Sequence, residues 1–232
     1  MHIFETASLQ ALPSFPRRPD QLAIVKREMP DGADAFFQQL MQTPFGVIGQ
    51  VFKESARDDI QYILEGDIPA ALQADPFYVH WLADMAAVCS VFADTLGLES
   101  TGFYLGTERG CRRYHIDSVP LRALVTYAGK GTEYLPDEAA DRQAYADGKP
   151  NEEILKDPTA IRFVDPWNVV VFRGGPNGLL HRTPDAALSG PSILLRLDHP
   201  KFWEKMLTTQ QKEEAWLSKE VQPTITSIYL PD

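Results

Sequence analysis

The chain's pattern predicts an α+β fold with a β-barrel or jelly-roll core. Helical periodicity fills most of the first hundred residues, about eight short strands follow between Thr101 and Asp198, and an amphipathic segment, Pro200 to Glu220, comes after them. Helices first and strands second favour α+β over an alternating, doubly wound sheet. The 232 residues divide accordingly into a mostly helical N-terminal region, 1–100, packed on the core, and a β domain with a C-terminal helix, 101–232.

Composition narrows the classes of function. A hydrophobic content of 44% and a charged content of 23% are those of a soluble globular protein. No apolar run reaches the roughly 18 residues of a membrane helix, and the opening Met-His-Ile-Phe-Glu-Thr lacks the layout of a signal peptide. Two cysteines, Cys89 and Cys111, point to reduced thiols and a cytoplasmic location. The net charge is −10, and residues 1–100 hold 6 Lys+Arg against 14 Asp+Glu. That balance disfavours a nucleic-acid footprint, which needs cations to replace counterions. A small molecule is the expected partner, with neither nucleic acid nor membrane.

Residues 1–30 are proline-rich and predict an extended arm with a short strand or helix around Gln21 to Arg27. Helices are expected over Asp31 to Gln42 and Ser55 to Leu64. The clearest helix begins at Asp75-Pro76, a capping carboxylate before a proline suited to the first turn. Tyr78, Leu82, Met85, Cys89, Phe92 and Leu96 follow at spacings of four and three, one apolar stripe that Gly97 ends. Cys89 on that stripe reads as a packed core thiol.

From Thr101 the period changes to two. Strands are expected at Thr101 to Thr107, Cys111 to Asp117, Pro120 to Tyr127, Arg162 to Val164, Asn168 to Phe172, Leu179 to Thr183 and Ser192 to Asp198. Residues 136–160 are polar and read as an excursion or lid. The glycine-rich Arg173 to Gly178 lacks the Lys-Ser/Thr ending of a phosphate-binding loop. Pro223 to Leu230 reads as a short strand.

The chemistry concentrates in Cys111-Arg112-Arg113-Tyr114-His115-Ile116-Asp117 and a distal His181. Alternation places Cys111, Arg113, His115 and Asp117 on one face, so His115 and Asp117 point together. With His181 they form two imidazoles and one carboxylate, the ligand set of the facial triad that holds Fe(II) with positions open. The same set suits Zn(II) with a bound water. Arg113, Tyr127 and Tyr104 are candidates to contact substrate, and Glu133 to orient a metal-bound histidine.

Residues 103 to 198 resemble the double-stranded β-helix core, jelly-roll and cupin-like, of the Fe(II)/2-oxoglutarate dioxygenases. The resemblance rests on His115-x-Asp117, on the turn Gly131-Thr132-Glu133-Tyr134-Leu135-Pro136, and on Pro166-Trp167-Asn168-Val169-Val170-Val171-Phe172 ahead of His181. Most of the chain also resembles the Domain of Unknown Function 1826 family, through Cys-Arg-Arg-Tyr-His-Ile-Asp, Gly-Thr-Glu-Tyr-Leu-Pro-Asp-Glu and His-Arg-Thr-Pro. The dioxygenase resemblance implies Fe(II) and 2-oxoglutarate as cofactors, His115, Asp117 and His181 as ligands and catalytic centre, and hydroxylation of a C–H bond. It also implies a basic residue ten or eleven positions after the distal histidine, to bind the far carboxylate of the cosubstrate. Here those positions are Pro191 and Ser192. Arg196, fifteen positions on, is the best candidate for the role, with Ser192 adding a hydrogen bond and Arg122 as a second candidate. A zinc-binding or other non-redox barrel, tied to zinc homeostasis or hydrolysis, is the alternative.

Overall fold

Short runs of Val, Leu and Phe, buried on both sides, assemble into one large sheet. The computed structural model describes residues 2–202 and 227–229. Its strands are β1 (Ile3–Thr6), β2 (Leu22–Val25), β3 (Gly46–Phe52), β4 (Ser100–Gly106), β5 (Leu121–Ala128), β6 (Glu133–Tyr134), β7 (Arg162–Phe163), β8 (Val169–Arg173), β9 (His181–Arg182), β10 (Ile193–Asp198) and β11 (Ser227–Tyr229). The large sheet has the order β1-β2-β8-β5-β10-β4-β3-β11, and a small sheet the order β7-β6-β9. All pairings are antiparallel except β1 with β2 and β11 with β3.

The helices are α1 (Ala33–Leu40), α2 (Ala56–Leu64), α3 (Ala70–Gln73), α4 (Pro76–Leu96), α5 (Arg142–Ala146), α6 (Asn151–Ile154) and α7 (Asp185–Leu188). Side-chain alternation sends the strands' two faces to different neighbours. Ala123, Val125, Tyr127, Val169, Val171, Leu195 and Leu197 pack with α1, α2 and α4 in the main core. Leu22, Ile24, Leu124, Val170, Phe172 and Leu194 face the other way, onto Tyr134, Val164 and Leu179 of the small sheet and its flanks. A third cluster, Tyr114, Leu135, Ala140, Ile154 and Leu180, lies behind the small sheet. The layers are therefore helices, large sheet, small sheet and the short helices of residues 136–160.

The helix starting at Asp75 forms as its caps predict. The Asp75 side chain accepts from the Phe77 N–H, and Gly97 closes the helix at φ +69°. Helix α4 is long and apolar enough to cross a membrane by length and composition, but much of it is buried inside the protein. Its Asp84 accepts from the Tyr127 hydroxyl (2.7 Å) and the Arg27 guanidinium (2.5 Å), a polar anchor suited to a protein core.

Three expectations need correction. The first hundred residues are not a helical region laid on a β core, because they supply β1, β2 and β3 to the large sheet itself. Strand β3, with two glycines and a glutamine, has too few apolar alternations to be read from sequence. Cys111 to Asp117 is not a strand, since Cys111 adopts φ +62° and only His115 makes a bridge. The Tyr114 N–H instead donates to the Asn151 side chain, whose amide nitrogen donates to the Arg112 carbonyl (both 2.9 Å). Residues 136–160 are no open excursion, for they back the small sheet with α5 and α6. Of the expected helix Pro200 to Glu220, residues 203–220 lie outside the described residues, whereas the described part of the expected final strand, Ser227–Tyr229, is present as β11.

The two thiols lie in opposite environments. Cys89 is buried and Cys111 exposed, and burial, followed by Asp84, pushes the Cys89 thiol far above its ordinary value. Thiolate is the reactive form. Brief alkylation of the native protein, read by peptide mapping, is expected to label Cys111 and leave Cys89 unmodified until the protein is unfolded.

Candidate metal centre

A pair of backbone hydrogen bonds creates the site. His115 and His181 are directly opposed in an antiparallel bridge, each N–H donating to the other's carbonyl at 3.0 Å. Opposed residues in such a pair project to the same side, and the two rings stand 4.4 Å apart between centroids. His181 also stacks on Phe172 of β8, 4.2 Å between centroids, on the side of the large sheet. Asp117 reaches the same spot from two residues beyond His115. Its Oδ2 lies 3.4 Å from His181 Nε2, and its Oδ1 lies 4.0 Å from His115 Nε2. One ligand atom from each of the three residues falls within 4.8 Å of the others.

Backbone carbonyls orient both imidazoles. His115 Nδ1 lies 3.1 Å from the Arg113 oxygen, and His181 Nδ1 lies 3.0 Å from the Leu179 oxygen. A carbonyl only accepts, so each Nδ1 carries the hydrogen and each ring turns its Nε2 to the centre. Asp117 Oδ2, buried there, has no hydrogen-bond partner. A buried carboxylate oxygen left unpaired is unfavourable by itself. A divalent cation satisfies all three donors, so the residues present fit a metal. Among the described residues His115 is the most exposed member of the three, its side chain 28% exposed against 1% for Asp117 and 4% for His181.

A chain of alternating charges leads away from Asp117. Arg122 donates through Nη1 to Asp117 Oδ1 and through Nε to Asp198 Oδ1, the latter at 2.7 Å. Arg196 Nε donates to Asp198 Oδ2, also at 2.7 Å. Phe202 lies beneath both guanidinium groups, 5.2 Å from Arg122 and 4.7 Å from Arg196. Breaking such a buried pair costs about 3–5 kcal/mol, because the remaining charge is stranded. Burial alone would raise the Asp117 carboxyl, but His181, Arg122 and His115 outweigh it and hold it below the usual carboxylate range. Burial and the facing His181 lower His115 to about 4.

The loop after β8 seats Asp117. The Gly175 N–H donates to the Asp117 carbonyl and the Gly174 N–H to the Pro120 carbonyl, both at 3.0 Å. A Cβ on Gly174 would strike the carbonyl oxygens of Val119 and Asp117. The glycines recorded in the sequence as an unassigned loop therefore serve close backbone approach.

Of the residues expected at the site, His115, Asp117, His181 and Arg122 come together, and Arg196 joins through Asp198. Tyr104 lies opposite Arg196 in register and packs with Ile48 and Phe202, so it shares their face. Ser192 is fully buried, at the far end of the strand edge against Gly129, and its Oγ is unpartnered among the described residues. A register shift between Ile193 and Leu194 interrupts the simple alternation that linked Ser192 to Arg196.

Three expectations fail on geometry. Tyr127 faces the main core, against Trp81, Trp167 and Phe37. Arg113 turns away and clamps the Tyr145 and Lys149 carbonyls at 3.0 and 3.1 Å. Glu133 accepts from the Tyr114 hydroxyl and, at 2.8 Å, from Arg182, and touches neither histidine. Asp198 and Phe172 were missed. Asp198 follows Arg196 by two on the same strand, the one signal available for it, whereas nothing in the sequence marks Phe172.

Fold and centre together define an α+β protein with a metal-competent His-Asp-His cluster on the inner side of its large sheet. The chain belongs to the family described as Protein of unknown function (DUF1826), whose model matches residues 7–198. No curated protein matches it significantly. Distant likenesses to solved structures include a bsmA homolog from Methylobium petroleophilum PM1 (13% identity, TM-score 0.43, covering 85% of this chain and 96% of that one). Others are AviO1 from Streptomyces viridochromogenes Tue57 (15%, 0.38, covering 84% and 97%) and EctD from S. alaskensis with 2-oxoglutarate and 5-hydroxyectoine (14%, 0.39, covering 83% and 76%).

Two measurements follow from this geometry. Gly174→Ala is expected to lower stability by about 1–3 kcal/mol, as overpacking against rigid backbone does, and to weaken metal binding through Asp117; denaturant melts and metal titration check both. In the metal-free protein, the folded His115 stays neutral at pH values where the unfolded residue, near 6.5, takes a proton. Its contribution to stability is complete above about pH 6.5 and is lost as pH falls toward 4. Its share of the fall in unfolding free energy is at most about 1.4 kcal/mol per pH unit, and His115→Gln is expected to flatten the curve across that window.

Proposed function

We propose that this protein is an Fe(II)- and 2-oxoglutarate-dependent oxygenase that hydroxylates a small molecule, its two sheets forming a double-stranded β-helix. The observation that carries this reading is the convergence of two Nε2 atoms and an unpartnered carboxylate oxygen at a largely buried point where the His115 side chain is partly exposed. Two imidazoles and one carboxylate leave coordination positions for a chelating cosubstrate and oxygen. His115, Asp117 and His181 would hold the iron, and iron with 2-oxoglutarate and oxygen supplies the C–H hydroxylation chemistry.

The chain's own residues do the rest. The Arg113 and Leu179 carbonyls keep the imidazoles in the ligating tautomer. Phe172 closes one side of His181 against water. Arg196, beside Tyr104 and Phe202, offers the guanidinium for a cosubstrate carboxylate.

One observation favours a second reading. Arg122 and Arg196 both already engage Asp198, so an incoming carboxylate must share or displace that partner. A zinc or other non-redox metal site has no such requirement and suits the same donors.

Anaerobic titration of the metal-free protein with Fe(II) and then 2-oxoglutarate separates the two. The oxygenase reading expects the visible charge-transfer band of the chelated complex, lost in His181→Ala. Iron binding with no response to 2-oxoglutarate rejects it in favour of the zinc reading.

A further inference from the structure

We propose that Arg122 is a positioning residue that makes Asp117 a one-oxygen ligand; this deepens the metal-centre reading and rests on it. A carboxylate can grip a cation with one oxygen or with two. Asp117 Oδ1 is occupied by the Arg122 guanidinium, while Oδ2 faces the imidazoles without a partner. The two oxygens of one side chain are thus assigned different tasks by their surroundings.

Arg122 is held where it stands. Its Nε is fixed on Asp198 at 2.7 Å, and Asp198, fully buried, is itself anchored by Arg196 and by the Thr101 hydroxyl on its backbone carbonyl at 2.9 Å. Arg122 is only 8% exposed. A guanidinium presents several donors in a rigid fork, so it can satisfy two carboxylates in fixed directions where an ammonium cannot.

The consequence is a count of vacant positions. A six-coordinate ion held by two nitrogens and one oxygen keeps three positions, whereas a two-oxygen grip leaves two. A chelating cosubstrate plus oxygen needs three. Arg122 therefore sets what the centre can take up, although it touches the ion nowhere.

The test uses Mn(II) alone as the probe and reads water-proton relaxivity per bound ion, which follows the number of water-occupied positions. Wild-type protein is expected to bind one Mn(II), and His181→Ala to lose it. Failure at that step rejects the metal-centre reading and this proposal with it. Arg122→Gln is expected to retain Mn(II) with relaxivity lower by roughly one third, three waters becoming two. Arg122→Lys, with the charge kept and the fork lost, is expected to fall in the same direction. Arg122→Gln combined with Asp198→Asn removes the stranded carboxylate too, and keeps the measurement open if the single substitution unfolds the protein. Relaxivity per bound ion unchanged in the folded variants, or failure of all three to fold, makes Arg122 a purely structural ion-pair residue and overturns the proposal.

Discussion

Everything at the candidate metal centre depends on the two hydrogen bonds that pair His115 with His181. They join residues far apart in sequence into directly opposed positions, and antiparallel geometry then leaves the rings little choice but to share a face. The bridge is isolated, with irregular backbone on the His115 side, so it needs support. That support comes from outside the centre. Asn151 holds the Tyr114 N–H and the Arg112 carbonyl, and Arg113 grips the turn between α5 and α6. Residues 136–160, which read as a lid, act instead as a brace behind the ligands.

Asp117 is treated differently from the histidines. Each imidazole receives a backbone carbonyl at Nδ1, a neutral partner that fixes the ring's orientation. A carboxylate has a full charge to place in a buried site, and burying it unpaired would be costly. Arg122 supplies the counter-charge, Asp198 supplies it for Arg122, and Arg196 completes the series. The four groups sum to zero charge. This series of side chains is therefore electrically balanced within itself.

Legibility from sequence followed the range of the interactions. Helix α4 was readable because its cap, its proline and its stripe are local signals within one segment. The His115-Asp117-His181 cluster was readable because its residue types are chemically distinctive and two of them are two positions apart. Strand β3 was not, since its burial comes from neighbours on both sides and its glycines blur the period. Alternation failed at Cys111 to Asp117, where a left-handed residue and a side-chain amide replace ladder bonds. It failed for Tyr127 in another way: the strand is real, but which face meets the helices depends on distant aromatic partners. Glu133 was misassigned for the same reason, its partner Arg182 lying on the back of the strand that carries His181.

The glycine-rich loop shows how a structural constraint can resemble a functional signature. Gly174 and Gly175 allow the chain leaving β8 to press against the backbone of Asp117. Strand β8 thus serves the centre twice, with Phe172 against the His181 ring and with the following loop against the Asp117 carbonyl. Two ligands on separate segments are thereby referred to one strand of the rigid sheet. That arrangement explains how a carboxylate on an irregular segment can be placed as definitely as a histidine on a strand. It also locates the weak point of the design in backbone contact at Gly174, which no change in ligand chemistry can replace.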